Sequence, residues 1–375
     1  MDKKKAVPER VVLFSDETRG HNHQSLGVAR WVARLCGAEI YEIRVPSFSG
    51  LQRLRILKQQ ARSLGTASAA EIKEWLKTTG FPLEDHAGTL SDNKETLYIA
   101  TGNSSSPFCL ALSRLFHGRS AVIMTPTALD TRLFDFAIVP LHDHPEPADN
   151  LITTLGAPNH IYYPELQVVA AETFAPLLPF PKKVVTLLLG GSDANYELTP
   201  GWVRSVLPSL RDAAEKQGAA LLVTTSRRTG AEADAAVEAV FAGSPATRYL
   251  LLASRSPENP VPAMLGAATH VLVTEDSVSM ASEAATAGFR VGLIRVDKKE
   301  SPLTKLRRHL GGGTAKFDAL FTEMAARGFV EDLGAAPDFE SFLAPEACRT
   351  EVPFDEAKRA AEWILNRWTR LEKEV

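Results

Sequence analysis

Cysteine is scarce. The 375 residues hold three, Cys36, Cys109 and Cys348, far apart and in no CxxC pair. That excludes a disulfide framework and a zinc ribbon and suits free thiols in a reducing compartment. No stretch approaches the ~20 consecutive apolar residues of a membrane-spanning helix, so no transmembrane segment is expected. Charge of one sign is lacking too: 42 Lys and Arg face 45 Asp and Glu, a net charge of −3. This balance gives no pull toward nucleic acid. The Lys3-Lys4-Lys5 start leads into no long apolar run, so no signal peptide is read and the cytoplasm is the expected location. No GxGxxG joins a strand to a helix, as an NAD fingerprint requires. Short-period repeats and low-complexity tracts are also missing.

What is present is a soluble composition, 45% hydrophobic and 23% charged, at a length that exceeds one core. Strand and helix patterns alternate. Strands are read at 10–14, 39–45, 97–100, 120–124 and 136–140, with helices at 25–36, 49–64, 67–78 and from the 101–106 turn to 116. Pro164, Pro176, Pro179 and Pro181 interrupt the pattern and mark a linker. Strands then resume at 184–189, 220–224, 248–252, 270–273 and 290–296. Their intervening helices lie at 200–218, 231–241, 260–267 and after 277, followed by 302–310 and 317–327. Such repeated units imply parallel, doubly wound sheets. The expected domains are 1–163, a linker at 164–182, 183–352, and a C-terminal helix at 353–375 packing back across the junction.

The stretch 271–283 organises this reading. A short β-branched strand runs into Thr274-Glu275-Asp276-Ser277, with Ser277 an N-cap candidate for the helix that follows. A helix start at the carboxyl end of a buried strand offers free amides and a positive dipole end to an anion. Two other strand ends in this half are phosphate-compatible, Gly190-Gly191-Ser192 and Thr225-Ser226-Arg227-Arg228-Thr229. In a parallel sheet all such ends share one edge. A capped turn without a ligand is the plainer reading of any one of them; the three together favour a nucleotide or other phosphate.

Several strings carry a family resemblance: Gly20-His21-x-x-Gln24-Ser25-Leu26-Gly27, Arg132-Leu133-Phe134-Asp135, Thr154-Leu155-Gly156-Ala157-Pro158, Gly190-Gly191, Ser226-Arg227-Arg228-Thr229, Asn259-Pro260 and Asp276-Ser277-Val278-Ser279-Met280-x-Ser282-Glu283. Together they resemble the mitochondrial fission "elongated mitochondria" family. The family is similar in turn to GT-B glycosyltransferases. The resemblance therefore implies two Rossmann-like doubly wound parallel-sheet domains facing a cleft, with a nucleotide-diphosphate sugar as substrate on the C-terminal domain and no separate cofactor or metal.

The same analogy distributes roles. Glu283 would accept hydrogen bonds from ribose hydroxyls. Asp276, Ser277, Val278, Ser279 and Met280 would hold the diphosphate, with Gly190, Gly191 and Ser192 facing the same phosphates. Ser226 and Arg227 would meet the leaving group, and Asn259 lies where similar enzymes grip the base. Glu275 and Glu283 make an E-x7-E spacing like the carboxylate pair of retaining enzymes; a solvated turn glutamate is the plain alternative. On the acceptor side His21 would be the general base, with Asp16 orienting it and Gly102-Asn103-Ser104 bordering the cleft. Glu17-Thr18-Arg19 depart from the glycines that some inverting enzymes carry there.

The implied function is transfer of the sugar to an unknown acceptor. The rivals are a non-catalytic scaffold that recruits a protein partner, as plant relatives in organelle division suggest, and an epimerase of the same donor. His142-Asp143-His144 reads as a strand-end loop ahead of a metal site. Arg53, Arg55, Lys58 and Arg62 alternate with Leu51, Leu54, Leu57 and Leu64. They read as a solvated face on a packed helix; the variant reading is a peripheral inner-membrane face for a lipid-linked acceptor.

Overall fold

The computed structural model describes residues 7–299 and 314–372, without the side chains of residues 58–60. The chain divides into two compact units, Met1–His160 with Asp355–Val375, and Ile161–Phe354.

The first unit holds strands β1 (Arg10–Ser15), β2 (Glu39–Arg44), β3 (Thr96–Thr101), β4 (Arg119–Ile123), β5 (Phe136–Pro140) and β6 (Leu151–Thr154). They form one parallel sheet in the order β2-β1-β3-β4-β5-β6. Successive β1 side chains point to opposite faces, and both faces are apolar, as a doubly covered strand demands. Val12 and Phe14 enter a core with Ile72, Trp75 and Phe108. Val11 and Leu13 enter another with Val28, Val32, Ile364 and Trp368. The helices are α1 (Arg19–Cys36), α2 (Gly50–Arg53), α3 (Ala69–Thr79), α4 (Gly102–Leu115) and the C-terminal helix Glu356–Leu371. Asp355 caps the last of these by accepting from the Lys358 amide at 2.9 Å.

The second unit contains α5 (Tyr163–Thr173), β7 (Val184–Leu188), β8 (Tyr196–Glu197), α6 (Pro200–Lys216), β9 (Ala220–Thr224), α7 (Ala231–Phe241), β10 (Thr247–Leu251), α8 (Val261–Ala267), β11 (His270–Thr274), α9 (Val278–Thr286), β12 (Val291–Ile294), β13 (Asp297–Lys298) and β14 (Val330–Asp332). Its main sheet runs β10-β9-β7-β11-β12-β14, all parallel; β8 and β13 make a separate antiparallel pair.

Several expectations shift. The polar run expected as a loop before residue 25 is already helical from Arg19, so His21 sits in the first turns of α1. The segment read as a linker carries α5, because Pro164 occupies the start of the helix, where its missing N–H costs nothing. α5 packs on α8, where a Cβ on Gly266 would overlap the Leu166 carbonyl. The helix expected at 49–64 is instead α2, a π-helical turn (Leu54–Gln59) and a 3₁₀ turn (Gln60–Ser63). The edge strands β6 and β14 are too short to stand out from sequence. The expected helix 302–310 lies outside the described residues.

Candidate functional site

In an open parallel sheet, ligands bind beyond the strand carboxyl ends where the strand order reverses. Each unit has one such point: between β1 and β3 in the first, between β7 and β11 in the second.

At the β1/β3 point a tight turn follows β1, with Glu17 at φ 62. Asp16 Oδ2 meets His21 Nδ1 at 2.9 Å, and Asp16 Oδ1 accepts from the Thr18 amide at 3.1 Å. Burial raises the Asp16 pKa, but the hydrogen bond and charge of His21 outweigh it and leave the carboxyl below its usual value. With Nδ1 engaged, Nε2 is the ring nitrogen left for a further partner. Gly102, at φ +76, opens α4 directly beneath this imidazole, and a Cβ there would stand 2.6 Å from the ring's Cε1. Asn103 accepts from the Thr127 amide at 2.6 Å and so fixes the next loop. Asn22 donates to Ser15 Oγ at 2.7 Å, and Ser25 bonds Thr101 Oγ1 at 2.7 Å. A Cβ on Gly27 would overlap the Asn159 carbonyl, so α1 can lie against residues 156–160 only because position 27 is glycine. The Arg132–Asp135 string is structural: Asp135 Oδ2 accepts from the Ser120 amide and hydroxyl at 2.8 and 2.9 Å, and Arg132 bonds Glu146 at 2.7 Å.

At the β7/β11 point the loop amides are already used. Gly190 N–H donates to Thr274 Oγ1 at 2.8 Å, Gly191 N–H to Asp276 Oδ2 at 2.7 Å, and Ser192 N–H to the Arg228 carbonyl at 3.0 Å. Gly190, Gly191 and Ser192, expected to face the phosphates, therefore direct their amides to acceptors within the protein. The glycines serve close packing: a Cβ at 190 would overlap the Asp276 carboxylate, and one at 191 the Arg228–Thr229 backbone. Ser226 and Thr229 hydroxyls both donate to the Gly190 carbonyl, at 2.7 and 2.5 Å. Asp276 also takes Arg228 Nη2 at 2.9 Å. Its carboxylate thus stands between a loop amide and a guanidinium, where an anion would. Burial raises its pKa despite Gly191, Thr274 and Arg228 acting the other way. Arg228, not Arg227, is the arginine drawn into this cluster; Arg227 is exposed.

Glu275 points the opposite way, as alternation at a strand end requires. Its Oε2 accepts from Arg295 Nη1 at 2.6 Å and its Oε1 from the Val296 amide at 3.0 Å. Arg295 also pairs with Asp318 and Asp332. Burial raises the Glu275 pKa against these partners. At 1% exposure it is a buried member of an ion network, not a solvated turn residue.

The open donors lie at the start of α9. Ser277 caps it, its Oγ accepting from the Met280 amide at 3.4 Å. The amides of Val278 and Ser279 stand at the positive end of the helix, and the Ser279 side chain is exposed. Glu283 lies one turn beyond Ser279 on the same face and is buried. Asn259 is exposed, its Oδ1 accepting from the Val261 amide at 3.4 Å at the start of α8.

Two parallel six-stranded sheets with helices between the strands, in one chain, give the GT-B-like fold. The chain belongs to the Mitochondrial fission ELM1 family, whose profile matches residues 19–368. No curated protein matches it in sequence. Among solved structures it is similar to a Listeria monocytogenes protein assigned as a UDP-N-acetylglucosamine 2-epimerase, at 13% identity, 98% coverage of each chain and a TM-score of 0.51. A Methanocaldococcus jannaschii UDP-GlcNAc 2-epimerase, solved with UDP-GlcNAc and UDP, matches at 10% identity over 98% of this chain and 99% of its own, TM-score 0.48. A family 9 glycosyl transferase from Veillonella parvula matches at 10% identity over 87% of this chain and 98% of its own, TM-score 0.44. At such identities the likeness concerns the fold. Among the described residues no helix is long and apolar enough to cross a membrane.

Proposed function

We propose that the protein binds a nucleotide-diphosphate sugar on its second unit and transfers the sugar to an acceptor hydroxyl without a metal. The diphosphate lies at the start of α9, on the amides of Val278 and Ser279 and the Ser279 hydroxyl, with Arg227 free to approach it. Glu283, one turn along, takes the ribose hydroxyls. Charge developing on the leaving diphosphate is met by the helix dipole and a guanidinium. In the first unit His21 removes the acceptor proton through Nε2, and Asp16 holds the ring and stabilises the imidazolium that forms. Glu275 keeps a structural role.

The observation that carries this reading is the 2.9 Å pair between Asp16 Oδ2 and His21 Nδ1 at the β1/β3 reversal. A panel of nucleotides and nucleotide sugars, followed by thermal shift, tests binding: a stabilisation is expected that vanishes in Glu283→Ala. No shift with any member of the panel would falsify the enzyme reading. Product analysis without an acceptor separates a transferase from an epimerase of the same donor.

A second reading is favoured by the internally satisfied loop. With the Gly190, Gly191 and Ser192 amides all spent on the protein itself, the fold holds its shape without a donor. That suits a non-catalytic scaffold recruiting a protein partner, for which a stoichiometric partner in pull-down and no nucleotide shift are expected.

A further inference from the structure

We propose that the face made by α2 and the π-helical turn after it binds the surface of an anionic phospholipid bilayer. Between residues 50 and 70 the chain carries Arg53, Arg55, Lys58 and Arg62 and no acidic residue, in a protein with 45 Asp and Glu and a net charge of −3. Basic charge is therefore concentrated here against the balance of the whole chain. Arg53, Arg55 and Arg62 are exposed, and among the described residues neither Arg55 nor Arg62 forms an ion pair.

Leucines accompany the arginines and do not all turn inward. Leu57 and Leu64 are buried at 3% and 1%, whereas Leu51 and Leu54 are exposed at 84% and 44%. The packed helix read from the sequence would bury all four on one stripe. The change to a π-helical turn at Leu54 breaks that stripe and leaves two leucines outward beside the guanidiniums. Leu51, Gln52, Arg55, Ile56 and Thr78 line a 430 Å³ groove. Apolar walls with a guanidinium at the rim match a lipid, whose phosphate sits above its hydrocarbon. Exposed leucines amid one sign of charge distinguish this face from a merely solvated one.

The face adjoins the His21 site within the same unit. Arg53 Nη2 donates to Ser104 Oγ at 3.4 Å, in the first turn of α4, which begins at Gly102 beneath the imidazole. A bilayer held on this face would lie next to the proposed acceptor side. The surface itself does not rest on sugar transfer, since its binding needs no nucleotide.

The test is flotation of the full chain with vesicles of phosphatidylcholine alone or mixed with phosphatidylglycerol. Association with the mixed vesicles is expected, with none on phosphatidylcholine, and it should weaken as salt rises. Leu51→Glu/Leu54→Glu and, separately, Arg55→Gln/Arg62→Gln should each reduce partitioning by about tenfold or more, the second also flattening the salt dependence. Because these side chains are exposed, both variants should melt with the parent. Failure to bind mixed vesicles at low salt overturns the proposal, as does binding that both double variants retain. Capture of a protein partner through this face without vesicle binding also overturns it.

Discussion

Asp276→Ala probes the β7/β11 loop most directly. The carboxylate accepts from Gly191 N–H at 2.7 Å and from Arg228 Nη2 at 2.9 Å, and its side chain is 0% exposed. Alanine leaves a buried loop amide without its acceptor, a loss of about 1–3 kcal/mol. Arg228 is 41% exposed and regains water, so breaking that pair adds at most about 1 kcal/mol. Against this, burial raises the Asp276 pKa, so ionising the group costs the fold something that alanine relieves. The net expectation is a loss of about 1–3 kcal/mol, or roughly 3–9 °C in Tm for a protein unit of this size. Asparagine keeps an acceptor for Gly191 and drops the charge, so it should cost less. In Asp276→Ala the Gly191 amide and the Arg228 guanidinium also stand open to an anion. Inorganic pyrophosphate should then raise the Tm of the variant more than that of the parent, in calorimetry at neutral pH. Should Asp276→Ala melt with the parent, the carboxylate does not hold the loop; a larger pyrophosphate shift in the parent would show that it does not stand in an anion's place.

His21→Ala should lower turnover about 10²–10⁴-fold while leaving the nucleotide thermal shift intact, and an equal loss of both would count against a general base. Gly102→Ala, strained at φ +76 and overlapping the His21 ring, should copy part of that turnover loss; unchanged kinetics would show that the ring's seat is unimportant. Gly27→Ala, whose Cβ would overlap the Asn159 carbonyl, should cost about 1–3 kcal/mol or more, read as a lower Tm of the first unit. Burial pushes the Asp355 carboxyl from 3.8 up to about 6. A raised folded pKa means stability fully present below the unfolded value and lost as pH rises through about 6. Asparagine keeps the cap, so the difference between parent and Asp355→Asn should shift against the parent from pH 4 to 6; a pH-independent difference would contradict the assignment.

The strand ends that matter were legible because buried parallel strands read as apolar runs and their small polar exits stand out. Asp16, His21, Gly102, Gly190, Gly191 and Asp276 all fall at the two order reversals. What each residue does there was less legible. Gly190-Gly191 has the composition of a phosphate loop, yet both amides are consumed by Thr274 and Asp276, a pairing between residues some 85 apart that no local pattern encodes. Glu275 and Asp276 are adjacent, and only the end of β11 decides that one turns to Arg295 and the other to Gly191. Arg227 and Arg228 are chemically equal in the string; the hydrogen bond from the Arg228 amide to Ser226 Oγ at 3.2 Å belongs to the turn from which that arginine reaches Asp276. Pro164 was read as a breaker because its position as an initiator depends on a helix that α8 supports from outside.

The chain leaves the first unit at His160 and re-enters it at Asp355. Ala360, Ile364 and Trp368 of that returning helix are among the least exposed side chains of the unit, and Arg119 lies over the Trp368 ring at 4.4 Å. During synthesis the unit translated first is therefore the one completed last. The second unit can close while the first still lacks the part of one wall beyond α1, so a nascent chain exposes Phe136 of β5, on which Trp363 and Trp368 pack, until the helix Glu356–Leu371 has been made. A stop codon shortly before Ala357 would leave that wall missing permanently, and such a product should be held by chaperones and degraded even though every residue of both switch points has been made.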